Sequence, residues 1–333
     1  MPQPRYTQID IEATPYYHVI SRCVRRAFLC GFDRATATHF DHRKTWVLEK
    51  LAALTEIFAI RVHAYAVLSN HFHLVVRIDS AEARQWSDAE VVLRYGTLFP
   101  HAVDRWAGLA EEYKAQRVAL WRARLSDLSW FMRCLNEAIA RRANREENCT
   151  GRFWEGRFRS QALLDEAALL TCMSYVDLNP MRAGLAANLT ASAFTSIQQR
   201  LGGATQDRDA EPAGTDGTAR GQRPALVQFA RPGDGKAAPD LPITFAQYVE
   251  LLTATGAAVG AAGAGGPLPD ESCRLLERVG IHSAHWVETV TNYRRHFFAL
   301  VGHVHRIAVH CARTDREKAK GSTWAKRVFR RAA

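Results

Sequence analysis

Two histidines separated by one residue could hold a metal ion. His71 and His73 flank Phe72 in a short apolar run that follows a Ser-Asn pair. Residues two apart on a β-strand point to the same face, about 7 Å apart, so both imidazoles could converge on one ion. Such pairs also occur by chance as half-exposed strand histidines. The spacing alone therefore leaves a metal site and an ordinary strand pair both open.

A tyrosine and an asparagine four residues apart form a second candidate pair. Tyr175 and Asn179 share one face of a helix that the Asn-Pro step at Asn179 must end. A different, apolar stripe of that helix comprises Leu169, Cys172, Met173 and Val176. Taken alone, Tyr175 is more typical of a packed amphipathic residue than of a nucleophile, and Asn179 of a helix C-cap.

Arginines alternate with aromatic residues in a third segment, residues 150–160, which reads Thr-Gly-Arg-Phe-Trp-Glu-Gly-Arg-Phe-Arg-Ser. This pattern suits single-stranded nucleic acid, with arginines on phosphates and rings stacked on bases. An exposed basic strand edge with buried Phe and Trp explains the pattern equally well.

The elements that must position these residues predict an α+β fold. β-Strand patterns cover residues 17–24, 62–68, 71–78 and 158–164, and helical patterns cover 44–59, 80–128, 128–144 and 165–179. Asp165 is a good N-cap for the last of these helices. The order strand, helix, strand, strand, helix, strand, helix is that of a split βαβ sheet with helices on one face.

Composition bounds the remaining choices. The chain has 333 residues and a net charge of +10, which favours a polyanionic partner. No apolar run approaches the roughly 18 residues of a membrane span. Seven cysteines without a C-x-x-C pair argue against a zinc ribbon or a disulfide scaffold and favour a reducing cytoplasm.

Charge and composition divide the chain into three parts. Residues 1–200 form a domain with 26 basic and 21 acidic side chains, in which 80–128 is a helical insertion. Residues 201–240 are rich in Gly, Ala, Pro and Asp, which is typical of a flexible linker. Residues 241–333 are expected to be a helical, basic C-terminal region, since 306–333 contain 9 basic and 2 acidic side chains.

Four ordered motifs resemble the REP-associated tyrosine transposases of the single-tyrosine HUH superfamily, which are related to the insertion-sequence 200-like transposases. The motifs are YYHVISR (16–22), LSNHFH (68–73), GRFWEGRF (151–158) and YVDLNPMRAG (175–184), and the resemblance spans about residues 5–200. It implies a ferredoxin-like, RRM-like catalytic core that cuts and joins single-stranded DNA at hairpin-bearing repeats.

The resemblance also implies roles for individual residues. His71, His73 and Asn179 look like ligands of a divalent metal, Mg²⁺ or Mn²⁺, and Tyr175 looks like the nucleophile that forms a 5′-phosphotyrosine. The candidate DNA-binding side chains are Arg22, Arg25, Arg26, Arg152, Trp154, Arg157, Arg159 and Arg182.

Two alternatives keep parts of this interpretation. A catalytically retired, transposase-derived protein would bind DNA hairpins or act as a repressor, and a hydrolase would attack with water instead of Tyr175. The intact set of His71, His73, Tyr175 and Asn179 favours the enzyme. The expected partner is single-stranded or hairpin DNA in the bacterial cytoplasm, associated with the nucleoid when bound. No membrane is expected, and monomer and homodimer both stay open.

Overall fold

A five-stranded sheet forms the centre of the protein. The computed structural model describes residues 8–24, 29–33, 37–206, 222–230, 241–260, 266–314, 316 and 319–330. The strands of the sheet are β1 (Tyr16–Arg22), β4 (Ile60–Val67), β5 (His71–Ile78), β6 (Arg159–Leu163) and β7 (Leu300–Val301). A separate two-stranded hairpin pairs β2 (Phe32–Asp33) with β3 (Thr38–His39).

Helices fill the connections between these strands. In the first two hundred residues they are α1 (His42–Ile57), α2 (Ser80–Gln85), α3 (Asp88–Leu98), α4 (Pro100–Ala107), α5 (Glu111–Leu125), α6 (Leu128–Glu146), α7 (Glu166–Asp177), α8 (Asn179–Arg182) and α9 (Ser196–Gln206). The later ones are α10 (Phe245–Gly260), α11 (Asp270–Arg278), α12 (Trp286–Thr291), α13 (Tyr293–His296), α14 (Val304–Arg313) and α15 (Ser322–Val328), with a 3₁₀ turn at Ser283–His285. No helix in the described ranges combines the length and the apolar character needed to cross a membrane.

Strand pairing follows the split βαβ arrangement. The sheet order is β4-β5-β1-β6-β7, with antiparallel pairing everywhere except between β6 and β7, which run parallel. The crossover helices α1 and α6 pack against each other. The predicted α+β class is therefore confirmed: an antiparallel sheet with a ferredoxin-like strand order and a mainly helical C-terminal extension.

Different helices pack on the two faces of the sheet. Phe72 and Ser21 point to the side of α6, where Asn136 donates to the Ser21 hydroxyl at 2.9 Å. The opposite face, which carries the histidines, is covered by α7. The prediction of helices on one face thus holds for the two crossover helices, and α7 adds a layer on the other face.

Asp165 fixes the start of α7, as its predicted role as an N-cap requires. Its Oδ1 accepts from the Ala168 amide at 2.8 Å, and its Oδ2 accepts from the His303 amide at 2.6 Å. The backbone at Gly302 has φ +149°, and a Cβ there would lie 2.7 Å from the Asp165 carboxylate. Glycine is therefore required for this close approach between the C-terminal region and α7.

The outer face of α7 is buried beneath C-terminal helices. Every residue from Ala167 to Asp177 is buried, because α10 and α12 pack over α7 and α8. Asp177 joins these layers: its carboxylate accepts from Ser196, from the Ile197 amide and from the Tyr248 hydroxyl. The apolar stripe predicted for α7 is therefore buried, and so is the opposite face of the helix.

Part of the segment predicted as a linker is packed. Residues 201–206 continue α9, and Leu226 pairs with Val62 of β4, where the Val227 amide donates to the Val62 carbonyl at 2.9 Å. These residues therefore belong to the folded body, because the free edge of β4 offers them a backbone partner. Residues 207–221 and 231–240 lie outside the described part.

Candidate active site

Strand alternation brings four polar side chains to one face of the sheet. His71 and His73 of β5 share that face with His18 of β1, and His73 lies opposite Ile20 in the antiparallel register. Gln161 of β6 lies directly opposite His18. His18 and His73 are fully buried, whereas His71 is partly exposed. Three imidazoles and one amide therefore meet beneath α7.

A directional chain of hydrogen bonds links these groups. The Asn179 amide nitrogen donates to His73 Nε2 at 3.2 Å, and His73 Nδ1 donates to His18 Nε2 at 2.8 Å. His18 Nδ1 then donates to Gln161 Oε1 at 2.6 Å, and the Gln161 amide nitrogen donates to the Phe297 carbonyl at 3.3 Å. A carbonyl can only accept, so Phe297 fixes the orientation of Gln161 and, through it, every proton in the chain. Both histidines are consequently neutral and protonated on Nδ1.

His71 has the same tautomer for a different reason. Its Nδ1 donates to the Asn70 side-chain oxygen at 2.7 Å, which leaves the lone pair on Nε2. The His71 and His73 ring centroids are 4.9 Å apart at an interplanar angle of 71°. Two neighbouring imidazoles thus present deprotonated Nε2 atoms, each held by a bond to its other nitrogen, as in metal-binding histidines.

Burial keeps all three imidazoles uncharged. It lowers the pKa of His18 and of His71 to about 4, and it lowers the pKa of His73 well below the ordinary value of 6.5. The nearby charge of Arg294 lowers each of these pKa values further. At neutral pH the cluster is therefore a set of neutral donors, the form in which imidazole binds a metal.

The Tyr175 ring packs against this cluster. Its centroid lies 5.5 Å from that of His73 and 6.0 Å from that of His18. Tyr293 of α13 stacks on its other side with centroids 4.5 Å apart, and the side chain is only 3% exposed. The candidate nucleophile is therefore next to the histidines but enclosed.

Two arginines act electrostatically on the phenol. The Arg182 guanidinium lies 4.7 Å from the Tyr175 ring centroid and donates to the Thr291 carbonyl. Burial raises the pKa of the Tyr175 phenol, while the charges of Arg182 and Arg294 oppose that rise. The phenol is thus protonated in this state, with positive charge available to stabilise its phenolate.

The donors present fit a divalent ion. In the described ranges no three His, Cys, Asp or Glu side chains lie close enough to share a metal. The site instead offers two imidazoles and the amide of Asn179, whose nitrogen now faces His73; a half-turn of that amide would present its oxygen. This set mixes nitrogen and oxygen donors, so ligand softness does not select one divalent ion strongly.

The predicted DNA-binding arginines lie in several places. Arg152, Arg157 and Arg159 line a groove of about 640 Å³ beside the site. Arg22 forms an exposed ion pair with Glu155 at 3.5 Å. Arg182 lies inside the site rather than in the groove. Arg25 and Arg26 lie outside the described residues.

Trp154 has the contacts of a core residue. It is 9% exposed, its ring meets Phe72 edge to face at 5.7 Å, and its indole N–H donates to the Asn136 carbonyl at 2.9 Å. Stacking of a DNA base on this ring would require the 150–160 segment to open. The buried Phe and Trp of the alternative interpretation match the observed packing.

The chain was compared with protein-family models, with curated proteins and with solved structures. No protein-family model and no curated protein matches the chain. A solved structure described as a REP-associated tyrosine transposase bound to a REP hairpin is similar at 13% identity and a TM-score of 0.35, covering 66% of this chain and 96% of that one. A likeness of this size carries no statement about activity.

Sequence reasoning missed four residues of the site. His18 and Gln161 complete the hydrogen-bond chain, and Tyr293 and Arg294 reach the site from α13. Strand alternation could have put His18 on the correct face once β1 was paired with β5. Nothing in the sequence around Tyr293 and Arg294 indicates that α13 packs on α7.

Proposed function

We propose that this protein is a metal-dependent endonuclease and strand transferase for single-stranded DNA that works through Tyr175. The observation that supports this most is the packing of Tyr175 against His73, whose Nε2 faces Asn179. Burying a phenol beside two neutral imidazoles and an amide costs free energy that apolar side chains would not cost. This cost favours a functional role for the cluster over a purely structural one.

The chemistry follows from the donor set. A divalent ion, Mg²⁺ or Mn²⁺, bound by His71, His73 and Asn179 would stabilise the charge that develops on the scissile phosphate. The Tyr175 oxygen attacks phosphorus, so that an oxygen–phosphorus bond forms while the bond to the 3′ oxygen breaks. The phenol loses its proton, and the leaving 3′ oxygen takes one up to become a hydroxyl.

The covalent product is a 5′-phosphotyrosine. Because it keeps the energy of the phosphodiester, a second 3′-hydroxyl can attack it and join a new strand without ATP. Arg182 supports the first step, since its guanidinium lies against the Tyr175 ring and favours the phenolate. Hairpin-bearing repeats are the proposed target, with the single strand running through the groove at Arg152, Arg157 and Arg159.

A second candidate is a catalytically retired protein that binds DNA hairpins or represses transcription. The enclosure of Tyr175 favours it: the residue is 3% exposed, and Tyr293 stacks on its ring. The location in the bacterial cytoplasm stays a prediction. Both a monomer and a homodimer stay open.

A gel assay distinguishes the two candidates. The full-length protein is incubated with 3′-labelled hairpin DNA carrying single-stranded flanks, with Mn²⁺, and resolved under denaturing conditions; the label is at the 3′ end because a 5′-phosphotyrosine keeps the 3′-side fragment on the protein. The enzyme gives a slow-migrating protein–DNA adduct that Tyr175→Phe abolishes. The matched control is Tyr113→Phe, which changes a 54% exposed tyrosine on α5 and should keep the adduct.

The possible outcomes separate the mechanisms as well. Cleavage that persists in Tyr175→Phe would show attack by water and overturn the proposal. Binding of hairpin DNA with no cleavage by the wild type, in either Mn²⁺ or Mg²⁺, would favour the retired protein.

A further inference from the structure

The arginine groove has a second wall, which comes from the C-terminal region. Besides Arg152, Arg157 and Arg159, the groove is lined by Arg294, Phe297 and Phe298. Its volume of about 640 Å³ is within the range of about 300–1,000 Å³ for sites that enclose small ligands. No carboxylate is among the described residues that line it. The groove is thus a positively charged channel between two distant parts of the chain.

This second wall is attached to the sheet. The Ala162 amide donates to the Ala299 carbonyl, and the Leu164 amide donates to the Val301 carbonyl, both at 2.8 Å. Phe297, next to the groove, is 2% exposed and packs on Tyr293 and Phe329. The wall is therefore held at a fixed distance from β6 by backbone bonds and by packing.

Arg294 is an exposed arginine of this wall. In the described ranges no carboxylate lies within ion-pair distance of it. It follows Tyr293, which stacks on Tyr175, so it stands where the groove meets the candidate active site. A solvent-facing guanidinium at that position is suited to a backbone phosphate.

Phe298 is an exposed aromatic ring in the same wall. Its side chain is 48% exposed, and the Lys320 ammonium lies 5.9 Å from the ring centroid. An apolar ring standing in a cationic groove is the arrangement with which single-strand-binding proteins stack unpaired bases. A duplex, whose bases are already stacked, offers such a ring no free face.

We infer that Arg294 and Phe298 form a subsite for single-stranded DNA, in which Phe298 stacks on an unpaired base and Arg294 pairs with the neighbouring backbone phosphate at the entrance to the Tyr175 site. This subsite rests on the proposed function for its substrate, and it assigns the C-terminal region a part in holding that substrate.

Binding measured without metal tests the subsite separately from catalysis. The full chain is titrated into a fluorescently labelled single-stranded oligonucleotide in EDTA, with anisotropy as the readout, and then into a duplex of the same sequence. Phe298→Ala should raise the single-strand Kd by about 5- to 150-fold, the effect of losing one stacked base, and leave the duplex Kd unchanged. Phe298→Trp should restore single-strand binding, because it restores a stacking face.

Arg294→Ala should weaken single-strand binding and reduce the slope of log K against log salt by about 0.7, the value for one phosphate contact on a single strand. Its matched control is Arg295→Ala, an exposed arginine one residue further that does not line the groove. Tyr113→Ala is the corresponding control for Phe298, with a similarly exposed ring on α5. Both controls should bind as the wild type does.

The subsite is overturned if Phe298→Ala binds single strands as the wild type does, or if it loses single-strand and duplex affinity equally. It is also overturned if Arg295→Ala lowers the salt slope as much as Arg294→Ala. The two proposals can fail separately. Loss of binding in the Phe298 and Arg294 variants with no covalent adduct from the wild type would leave the subsite standing without the enzyme. A covalent adduct from the wild type, together with wild-type single-strand binding by both variants, would leave the enzyme standing without the subsite.

Discussion

Replacing His18 with leucine should weaken metal binding although His18 is not a proposed ligand. His18 Nε2 accepts the His73 Nδ1 proton at 2.8 Å, and both side chains are fully buried. This bond keeps the proton on Nδ1 and the lone pair on Nε2, where it faces Asn179. Leucine fills a similar volume and accepts nothing. The His73 proton can then move to Nε2 and block the ligand position.

The structure sets the size of the effect. The substitution leaves two buried polar groups without partners, His73 Nδ1 and Gln161 Oε1, each at a cost of about 1–3 kcal/mol. The free energy of unfolding should therefore fall by about 2–6 kcal/mol, reduced by whatever the buried leucine contributes. Losing a partner that orients a metal-binding histidine weakens metal affinity by about 10- to 100-fold. We expect the Kd for Mn²⁺ to rise by that factor.

The assay is a Mn²⁺ titration followed by electron paramagnetic resonance of the free ion, with circular dichroism to establish that each variant is folded. His18→Gln is the matched control, because its side-chain oxygen can accept from His73 about where Nε2 does, and its affinity should stay near that of the wild type. A folded His18→Leu protein with wild-type Mn²⁺ affinity would refute this account. A His18→Gln protein as weak as His18→Leu would refute it too.

Three further predictions concern the cover of the site, its response to acid and its anchoring. Tyr293→Ala should expose the Tyr175 ring and speed its nitration by tetranitromethane, whereas Tyr293→Phe should not; equal rates would show that Tyr293 does not restrict access. The pKa of His18 is about 4 in the folded chain against an ordinary 6.5, so the unfolded chain binds more protons between these values. Stability should therefore fall as the pH drops from 6.5 to 4, by about 3 kcal/mol for His18 alone, and thermal melts with a constant midpoint over that window would contradict this. Asp177→Ala leaves three buried donors unsatisfied and should lower the free energy of unfolding by about 3 kcal/mol or more in urea; Asp177→Asn, which keeps an acceptor oxygen, should lose less, and equal losses would argue against these bonds.

Local periodicity predicted the face of the strand residues but not the end of the helix. Alternation on β5 put His71 and His73 on one side of the sheet. Tyr175 and Asn179 were expected on one face of a single helix, but α7 ends at Asp177 and Asn179 begins α8, with Pro180 in its first turn. The structure brings the two pairs together, with the Asn179 amide 3.2 Å from His73. Neither pattern alone could give that meeting, since it depends on α7 crossing the face opposite α1 and α6.

The sequence patterns did not predict which segments far apart along the chain come into contact. Gln161 and His18 meet because β6 pairs with β1, and Tyr293 meets Tyr175 because C-terminal helices cover α7. For Trp154 the local sequence pattern and the observed packing differ. Its neighbours in sequence suggested stacking on DNA, but its environment is set by Phe72 and α6, which no local pattern around residue 154 contains.

The identity of the residue joined to DNA decides whether Tyr175 is the nucleophile. The protein is incubated with Mn²⁺ and hairpin DNA, the adduct is trimmed with nuclease, and peptide mass spectrometry locates the nucleotide. We expect a 5′-phosphate ester on Tyr175 and on no other tyrosine. DNA cleaved without any covalent adduct, or an adduct on another residue, would contradict it.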